Sequence, residues 1–368
     1  MDIDHLRELF PVTGNCVYLN SAAEAPLNER SRIRLEQYLT HMSLEPHNKP
    51  GGRSRIRHRL SELLGGNPDE YALVSSTGIG LGIVAAGINW APGDNVVVPL
   101  DEHWNNTYPW LNLARKGVEV RSVAPDEYFR ITPASIAEHV DERTRVVAIA
   151  AVRFNSGFRA DLKKIARIAH SHGAIFVVDG IQAAGAVPLN VDSDDIDVLA
   201  CGGFKWLQGL PGTGFLYINR RVQSMINPVL PGMFAAENDL RALNLWPDAR
   251  RYETGSLAYP LFHAWESGLE LLQEVGVTAI HDHIIALTDR LVAGLMDRGL
   301  ALLTPVANRD ERSGIVVFSA GSPDNNDALF EKLRQERIIV TLRANALRVS
   351  PGLFNVASDV DALLKNLS

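Results

Sequence analysis

The middle of the chain alternates between short, continuous apolar runs and segments whose apolar residues recur with helical spacing. The runs are rich in Val, Ile and Ala, which is typical of strands buried on both faces of a mostly parallel sheet. Strands that alternate with helices of this length predict βαβ units with right-handed connections. The predicted strands span residues 71–76, 95–100, 118–123, 145–152, 175–180, 198–202 and 214–218, and the predicted helices among them span residues 79–86, 105–116, 133–140 and 161–172.

After about residue 245 the pattern changes to two long amphipathic helices followed by shorter elements. The helices are predicted at residues 261–275 and 277–298, and the later elements are predicted strands at 314–319, 338–342 and 347–350 with helices at 326–336 and 358–367. The sequence therefore predicts an α/β protein. A large domain, residues 22–245, contains a mostly parallel seven-stranded sheet, a smaller C-terminal α/β domain spans residues 246–368, and an N-terminal arm, residues 1–21, packs on the smaller domain.

The composition excludes several classes of protein. Of 368 residues, 46% are hydrophobic and 21% are charged, which fits a globular protein with a full core and excludes a disordered chain, a fibre or a small disulfide scaffold. No apolar run approaches the roughly 18 residues of a membrane span, and the acidic start of the chain does not resemble a signal peptide. The two cysteines, Cys16 and Cys201, are far apart and lack metal-ligand spacing. We therefore expect a reduced, cytoplasmic protein with no metal site.

The net charge of −7 disfavours nucleic acid or an anionic membrane as a partner. The only basic cluster spans residues 49–59, and it lacks the interleaved aromatic residues of a nucleic-acid site. A solvated helix start near the mouth of a site is the favoured interpretation of this cluster.

The segment with the clearest chemistry is a lone lysine, Lys205, which follows a strand and a glycine pair in an apolar, glycine-rich setting. Burial would lower the pKa of its amine and make it nucleophilic towards a carbonyl, whereas an exposed loop lysine would have no such role. About 25 residues upstream, Asp179 ends another apolar strand, and Gln182 follows three residues later. Asp179 either caps a turn or pairs with a protonated ring nitrogen.

Three further segments are compatible with a site at the strand ends. Residues 75–78, Ser-Ser-Thr-Gly, precede a helical run and offer donors for a phosphate, although Ser and Thr are also ordinary helix N-caps. His103 follows the second strand in a Glu-His-Trp segment, and its alternative is a surface loop histidine. Arg348 lies within an apolar strand pattern, where a carboxylate-binding role is favoured over a surface ion pair.

With these motifs in this order, the chain resembles the class V aminotransferase family of fold-type-I pyridoxal-phosphate enzymes, in the branch of cysteine desulfurases and selenocysteine lyases. The resemblance runs from Tyr18-Leu-Asn-Ser-Ala-Ala23 to Leu347-Arg-Val-Ser350. It implies that Lys205 holds pyridoxal 5′-phosphate covalently and later removes the substrate α-proton. It also implies that Asp179 keeps the pyridine nitrogen protonated and that His103 stacks on the ring.

The resemblance implies binding roles for other residues. Contacts with the cofactor through its phosphate or ring hydroxyl are implied for Ser76, Thr77, Gly78, Asn155 and Gln182. Arg348 matches the arginine for the substrate α-carboxylate, and Asn20 could also face the substrate. Ser256 matches a segment that reaches the partner's phosphate, so a homodimer with a shared active site is expected.

The chain departs from this branch at two places. No cysteine occurs in the short stretch before Arg348, and Gly202-Gly203-Phe204 replaces a Ser-Gly-His that helps hold the phosphate. We therefore expect an enzyme that acts on an amino acid or its conjugate by β-elimination, as a carbon–sulfur lyase without a persulfide cysteine. Transamination and epimerisation are the alternatives, and a non-catalytic binding or scaffold protein is the remote one.

Overall fold

The computed structural model describes residues 2–48, 51–237, 239 and 241–367, and its elements are numbered along the chain. The strands are β1 (Val17–Tyr18), β2 (Tyr71–Leu73), β3 (Asn95–Pro99), β4 (Glu119–Val123), β5 (Thr144–Ala150), β6 (Ile175–Asp179), β7 (Val198–Gly202), β8 (Gly214–Ile218), β9 (Ala301–Leu302), β10 (Val316–Ser319), β11 (Ile338–Ile339), β12 (Thr341–Arg343) and β13 (Ala346–Val349).

The α-helices described in the same ranges vary from one turn to twenty residues. They are α1 (Ile3–Glu8), α2 (Glu29–Leu44), α3 (Arg53–Leu64), α4 (Thr77–Gly87), α5 (Tyr108–Leu111), α6 (Pro133–Ala137), α7 (Leu162–Ser171), α8 (Arg220–Gln223), α9 (Tyr259–Val275), α10 (Val277–Met296), α11 (Pro323–Gln335) and α12 (Ala357–Lys365). None of these described helices combines the length and the apolar character needed to cross a membrane.

The larger sheet has seven strands in the order β2-β8-β7-β6-β5-β3-β4. Strands β7, β6, β5, β3 and β4 run parallel to one another, whereas β8 is antiparallel to both β7 and β2. No helix lies between β7 and β8, so the chain turns back directly instead of crossing over. The predicted α/β class with a mostly parallel seven-stranded sheet is confirmed.

Burial on both faces explains the continuous apolar runs of this sheet. In β6, Phe176 and Val178 belong to one buried apolar cluster, while Ile175 and Val177 belong to a second cluster on the opposite face. Successive strand residues point to opposite faces, so a strand covered on both sides needs apolar residues at every position.

The smaller sheet is antiparallel, with the order β12-β13-β10-β9, and its apolar residues form a third buried cluster with residues of α10, α11 and α12. Near the start of the chain, β1 pairs in parallel with β11, with Val17 opposite Ile338. The domain boundary at residues 245–246 stays a prediction.

One part of the helical pattern differs from the sequence expectation. Residues 105–116 do not form one helix. A 3₁₀ turn at Trp104–Asn106, the short α5 and a second 3₁₀ segment at Asn112–Lys116 replace it. Pro109 lies at the start of α5 and restricts the residue before it, which interrupts a longer helix.

Residues 53–59 of the basic cluster form the start of α3, as a helix start was expected here, and Lys49 and Pro50 lie outside the described residues. Its arginines are partnered by carboxylates of the chain itself. Arg57 pairs with Glu253 at 2.7 Å, and Arg55 pairs with Glu266 at 2.5 Å. These ion pairs hold α3 against α9 and the segment before it.

Helix α9 makes an unusually close contact with the loop that follows Lys205. Trp265 donates a hydrogen bond through Nε1 to the carbonyl of Leu207 at 3.0 Å. A Cβ atom on Gly268 would lie 2.5 Å from the carbonyl oxygen of Gln208. Only a glycine at position 268 therefore lets α9 hold this loop.

We expect Gly268→Ala to lower the free energy of unfolding by about 1–3 kcal/mol, because backbone atoms must move apart to admit the methyl group. Thermal or denaturant unfolding measures the change. Gly14→Ala is the control, since a Cβ at Gly14 meets no atom within 4 Å. Equal stability of the two variants would contradict the close contact.

Candidate active site

Lys205 and Asp179 lie at the carboxyl ends of two adjacent parallel strands. Asp179 is the last residue of β6 and pairs with Ala200 of β7, and Lys205 lies in the loop that leaves β7. Both are buried, with 2% of Asp179 and 8% of Lys205 exposed. One enclosed cavity is lined by both residues, together with Thr77, Glu102, His103, Asn105, Ala150, Val152, Phe154, Ile181, Gln182 and Phe204. This is the edge where open α/β sheets bind their ligands.

Burial shifts the pKa values of Lys205 and Asp179 in opposite directions. It lowers the pKa of the Lys205 amine, and the positive charge of Arg348 lowers that pKa further, while the Asp179 carboxylate opposes the shift. Burial raises the pKa of Asp179, against the Ile181 amide that donates to its Oδ1 at 3.0 Å and the charge of Lys205. The lowered pKa of about 8 leaves a larger fraction of the Lys205 amine neutral near pH 7 than in an ordinary lysine, and the neutral amine is a nucleophile or a base.

His103 lies over the same cavity with a half-buried ring. Its ring contacts Phe154 edge-on, with 5.3 Å between the centroids, and its Nδ1 accepts a hydrogen bond from the Asn105 amide at 3.2 Å. Burial lowers its pKa to about 4, helped by the positive charges of Lys205, Arg343 and Arg348. The imidazole is therefore neutral at pH 7, with its proton on Nε2.

Helix α4 begins beside the cavity. Ser76 is its N-cap and accepts a hydrogen bond from the Ile79 amide at 3.2 Å, and Gly78 lies in the first turn. The Thr77 hydroxyl is buried and accepts a hydrogen bond from the Gly202 amide at 2.8 Å. The helix start is thus directly bonded to the strand that leads to Lys205, and its positive end is directed at this region.

Gln182 is buried between the cavity and the loop after Lys205. Its Nε2 donates to the carbonyl of Ala22 at 3.0 Å, and its Oε1 accepts from Nε1 of Trp206 at 2.9 Å. One amide hydrogen of Gln182 has no partner in these bonds and remains available to a ligand in the cavity.

The second glycine of the pair before Lys205 is required for steric reasons. A Cβ atom on Gly203 would lie 2.5 Å from Oγ1 of Thr213 and 2.8 Å from the indole of Trp265. The Gly203 amide also donates to the Thr213 carbonyl at 2.8 Å, which closes the loop. Larger residues are therefore excluded here by the tight loop after β7.

Arg348 and Asn155 line a second pocket, which shares Phe154 with the cavity. Only 3% of Arg348 is exposed, and its Nη1 donates to the Phe154 carbonyl at 3.1 Å while its Nε has no partner within the described chain. Burial, and then the charge of Arg343, lowers its pKa to about 10, so it stays charged at neutral pH. The Nδ2 of Asn155 donates to the Asp101 carbonyl, and its Oδ1 is buried without a partner.

Four predicted site residues lie outside the linings of these two pockets. Ser76 and Gly78 line a separate groove beside the start of α4, and the other two are Asn20 and Ser256. Asn20 forms a β-bridge with Ser350, and its Oδ1 accepts a hydrogen bond from Thr341, which is directly opposite Arg348 in the hairpin of β12 and β13. Ser256 is exposed, and it lines none of the pockets that contain Lys205, Ser76 or Arg348. One chain by itself does not bring Ser256 to the cavity.

The structure also shows cavity residues to which the sequence analysis gave no role. Glu102 forms a buried ion pair with Arg153 at 3.2 Å, and Arg153 also donates to the Leu100 carbonyl. Phe154 separates the two pockets, and Arg343 lies over its ring, with 5.1 Å between the guanidinium carbon and the ring centroid. The one sequence signal for the ion pair of Glu102 with Arg153 was the presence of an arginine inside the apolar run before Phe154.

Comparisons with known proteins agree with this arrangement. The chain belongs to the aminotransferase class-V family, whose model matches residues 17–363 and whose members use pyridoxal phosphate. A probable cysteine desulfurase of Methanothermobacter thermautotrophicus is 30% identical over 309 residues, which cover 80% of this chain and 76% of that protein. The predicted family and its desulfurase-like branch are confirmed.

Other similar proteins carry out different chemistry or show the fold alone. The isopenicillin N epimerase of Streptomyces clavuligerus is 27% identical over 376 residues, covering 94% of this chain and 93% of that protein. A solved structure of a C-DES mutant, which has glycine covalently linked to its PLP cofactor, superposes with a TM-score of 0.90 at 24% identity and covers 98% of each chain. That likeness confirms the fold.

We expect the ring of His103 to titrate near pH 4, well below the ordinary value of 6.5. Lys205→Ala should raise this pKa, because it removes a nearby positive charge while most of the burial remains. NMR titration of the histidine ring signals, assigned with His103→Gln, measures both values. His170 is an internal reference, since its hydrogen bond to Asp197 raises its pKa.

The matched control is Lys163→Ala, because Lys163 is an exposed lysine of α7. This variant should leave the titration of His103 unchanged. A wild-type value near 6.5, or the same value in wild type and Lys205→Ala, would show that the ring does not sense the buried lysine.

Proposed function

We propose that this chain is a pyridoxal-phosphate-dependent enzyme that acts on an amino acid or an amino-acid conjugate, and that it breaks a carbon–sulfur bond at the substrate β-carbon by elimination. The observation that carries the proposal is the burial of Lys205 beside Asp179 in one cavity at the ends of two parallel strands. Family membership supports the cofactor, and the similarity to a probable cysteine desulfurase supports the bond that is broken.

The residues around the cavity fit this cofactor by their chemistry. The lowered pKa of Lys205 suits an amine that bonds to an aldehyde, and Asp179 suits a protonated pyridine nitrogen. The start of α4, residues 76–78, offers amide and hydroxyl donors to a phosphate. The neutral His103 offers an aromatic face, and the free amide hydrogen of Gln182 suits a ring hydroxyl.

Bound in this cavity, pyridoxal phosphate would act as an electron sink for the carbanion that forms when the substrate loses its α-proton. The residues of this chain do the rest. Burial lowers the pKa of the Lys205 amine, and the neutral amine accepts the α-proton. Arg348 binds the α-carboxylate with its free Nε, because a buried guanidinium without a carboxylate partner favours an anionic ligand.

Elimination is proposed without a persulfide because neither cysteine is placed for it. Cys201 is completely buried in β7, and burial raises the pKa of its thiol, so the thiol stays protonated. Cys16 lies just before β1, where burial also raises its pKa and Arg337 is its charged neighbour. The sulfur would therefore leave as a thiol that takes its proton from Lys205.

Two other outcomes share the same proton removal. Return of the proton to the α-carbon from the opposite side gives epimerisation, which the similarity to isopenicillin N epimerase favours as the second candidate. Transamination needs a keto-acid acceptor in a second half-reaction. The three outcomes differ in products, so one assay separates them.

The proposed enzyme is a homodimer with a shared site. Ile79, Trp104 and Tyr108 are exposed apolar residues that line one groove together with Ser76 and Gly78. A groove of this kind beside the start of α4 favours cover by a second copy of the chain. In such a dimer Ser256, which is exposed within one chain, would complete the partner's phosphate contacts.

We expect wild-type chain mixed with pyridoxal phosphate to form a covalent adduct that borohydride reduction makes permanent, and we expect Lys205→Ala to lose it completely. The reason is that Lys205 is the buried lysine of the cavity and has a lowered pKa. Intact-protein and peptide mass spectrometry identify the modified residue. Lys163→Ala should retain the adduct, and retention by Lys205→Ala would contradict the proposal.

With cysteine thioethers as substrates, we expect equal amounts of keto acid, ammonia and free thiol, without any added keto acid. Thiol and keto-acid assays on the same reaction measure this balance. Product that forms only when a keto acid is added would instead identify transamination. A change of optical rotation without thiol release would identify epimerisation, and either result would replace the lyase assignment.

A further inference from the structure

The pocket that contains Arg348 contains a second arginine, Arg343. The pocket has a volume of about 260 Å³, opens next to the cavity of Lys205 and shares Phe154 with it. Its other walls include the apolar residues Phe129, Leu303 and Val317. Two guanidinium groups therefore face a space that lies directly beside the proposed reaction centre.

The hairpin of β12 and β13 sets the positions of these two arginines. Arg343 is opposite Ala346, and Arg348 is opposite Thr341, so the two arginines are diagonal neighbours on the same face. Such diagonal neighbours lie about 7–8 Å apart, and their Cβ atoms somewhat closer. Ala344 and Asn345 both have positive φ, at 48° and 58°, which closes the hairpin with a tight two-residue turn.

Neither arginine has a carboxylate partner among the described residues. Three described arginines are buried, namely Arg153, Arg312 and Arg348. Arg153 pairs with Glu102 and Arg312 pairs with Asp289, so only Arg348 lacks an acidic partner.

Arg343 is also held without an acid. Its guanidinium lies over the rings of Phe154 and Trp104, with its central carbon 5.1 Å and 5.7 Å from the two centroids. The one acidic residue among those that line this pocket is Asp101, which is exposed and forms no ion pair with either arginine in the described chain. Stacking on aromatic rings fixes the orientation of the Arg343 guanidinium but leaves its N–H donors free to bind a ligand.

Two like charges in one pocket repel each other and lose hydration, so the pocket is matched by a ligand with two negative charges. We propose that the substrate is an α-amino acid whose side chain ends in a second carboxylate, with the α-carboxylate on Arg348 and the distal carboxylate on Arg343. This inference rests on the proposed function. Combined with elimination, it specifies a cysteine thioether whose sulfur substituent ends in a carboxylate, with its methylene groups against the apolar walls.

The first test measures binding without chemistry. Calorimetry compares glutarate, which has two carboxylates, with butyrate, which has one, on the full chain with and without pyridoxal phosphate. Wild type should bind glutarate at least about 10-fold more tightly, since the second carboxylate adds a charge-assisted hydrogen bond. Equal affinities for the two acids would overturn the proposal.

Variants assign each carboxylate to its arginine. Arg343→Gln should abolish the preference for glutarate, because it weakens glutarate binding much more than butyrate binding, whereas Arg348→Gln should weaken both acids. Arg343→Lys should restore part of the preference, because it keeps the charge but not the fork. Arg167→Gln, an exposed arginine of α7, is the matched control and should behave as wild type. A glutarate preference that survives Arg343→Gln would overturn the assignment.

The second test separates this inference from the proposed function. S-carboxymethylcysteine and S-methylcysteine are compared as substrates, and kcat/KM should favour the carboxylated thioether about 10-fold or more in wild type only. Cleavage of both thioethers at equal rates would leave the lyase standing and overturn the dicarboxylate inference. A glutarate preference without a covalent adduct at Lys205 would overturn the lyase and leave the dicarboxylate pocket standing.

Discussion

The structure depends on the burial of a cation beside an anion at one edge of the larger sheet. Asp179 and Lys205 lose most of their hydration, which is costly unless each charge is compensated. Compensation comes from the sheet itself, because β6 and β7 are adjacent and parallel and their carboxyl ends lie at the same edge of the sheet. The loop after β7 is then fixed by Gly203, by Trp265 and by the close approach of α9, so the lysine is held where the strands end.

The strands were predictable from sequence because burial on both faces requires apolar residues at every position. All seven predicted strands of the larger sheet are present, with ends that differ by a few residues. The segment 105–116 was not predictable as it stands, because its helical spacing persists through a proline that breaks the helix. The start of α3 was predicted, but its arginines were interpreted as solvated, because their carboxylate partners lie some 200 residues further along the chain.

The site was predictable where neighbours in sequence act together. Five site residues lie at or shortly after the end of a strand, and parallel strands of one sheet place such residues at a common edge. They are Thr77, His103, Asp179, Gln182 and Lys205. Pairs joined only by folding were not predictable. The ion pair of Glu102 with Arg153 and the stacking of Arg343 on Phe154 connect segments with no shared local pattern. Ser256 remains a prediction, because its role requires a second chain.

The tight turn at Ala344 and Asn345 has a consequence for how this scaffold can diversify. The turn is exposed at the tip of a short hairpin, and the residues flanking it line the pocket that contains Arg348. Surface tips of this kind accept extra residues at little cost to the core. A longer insertion at this turn would place new side chains beside the pocket and leave the residues around Lys205 unchanged. Selectivity can therefore change through the length of this one loop.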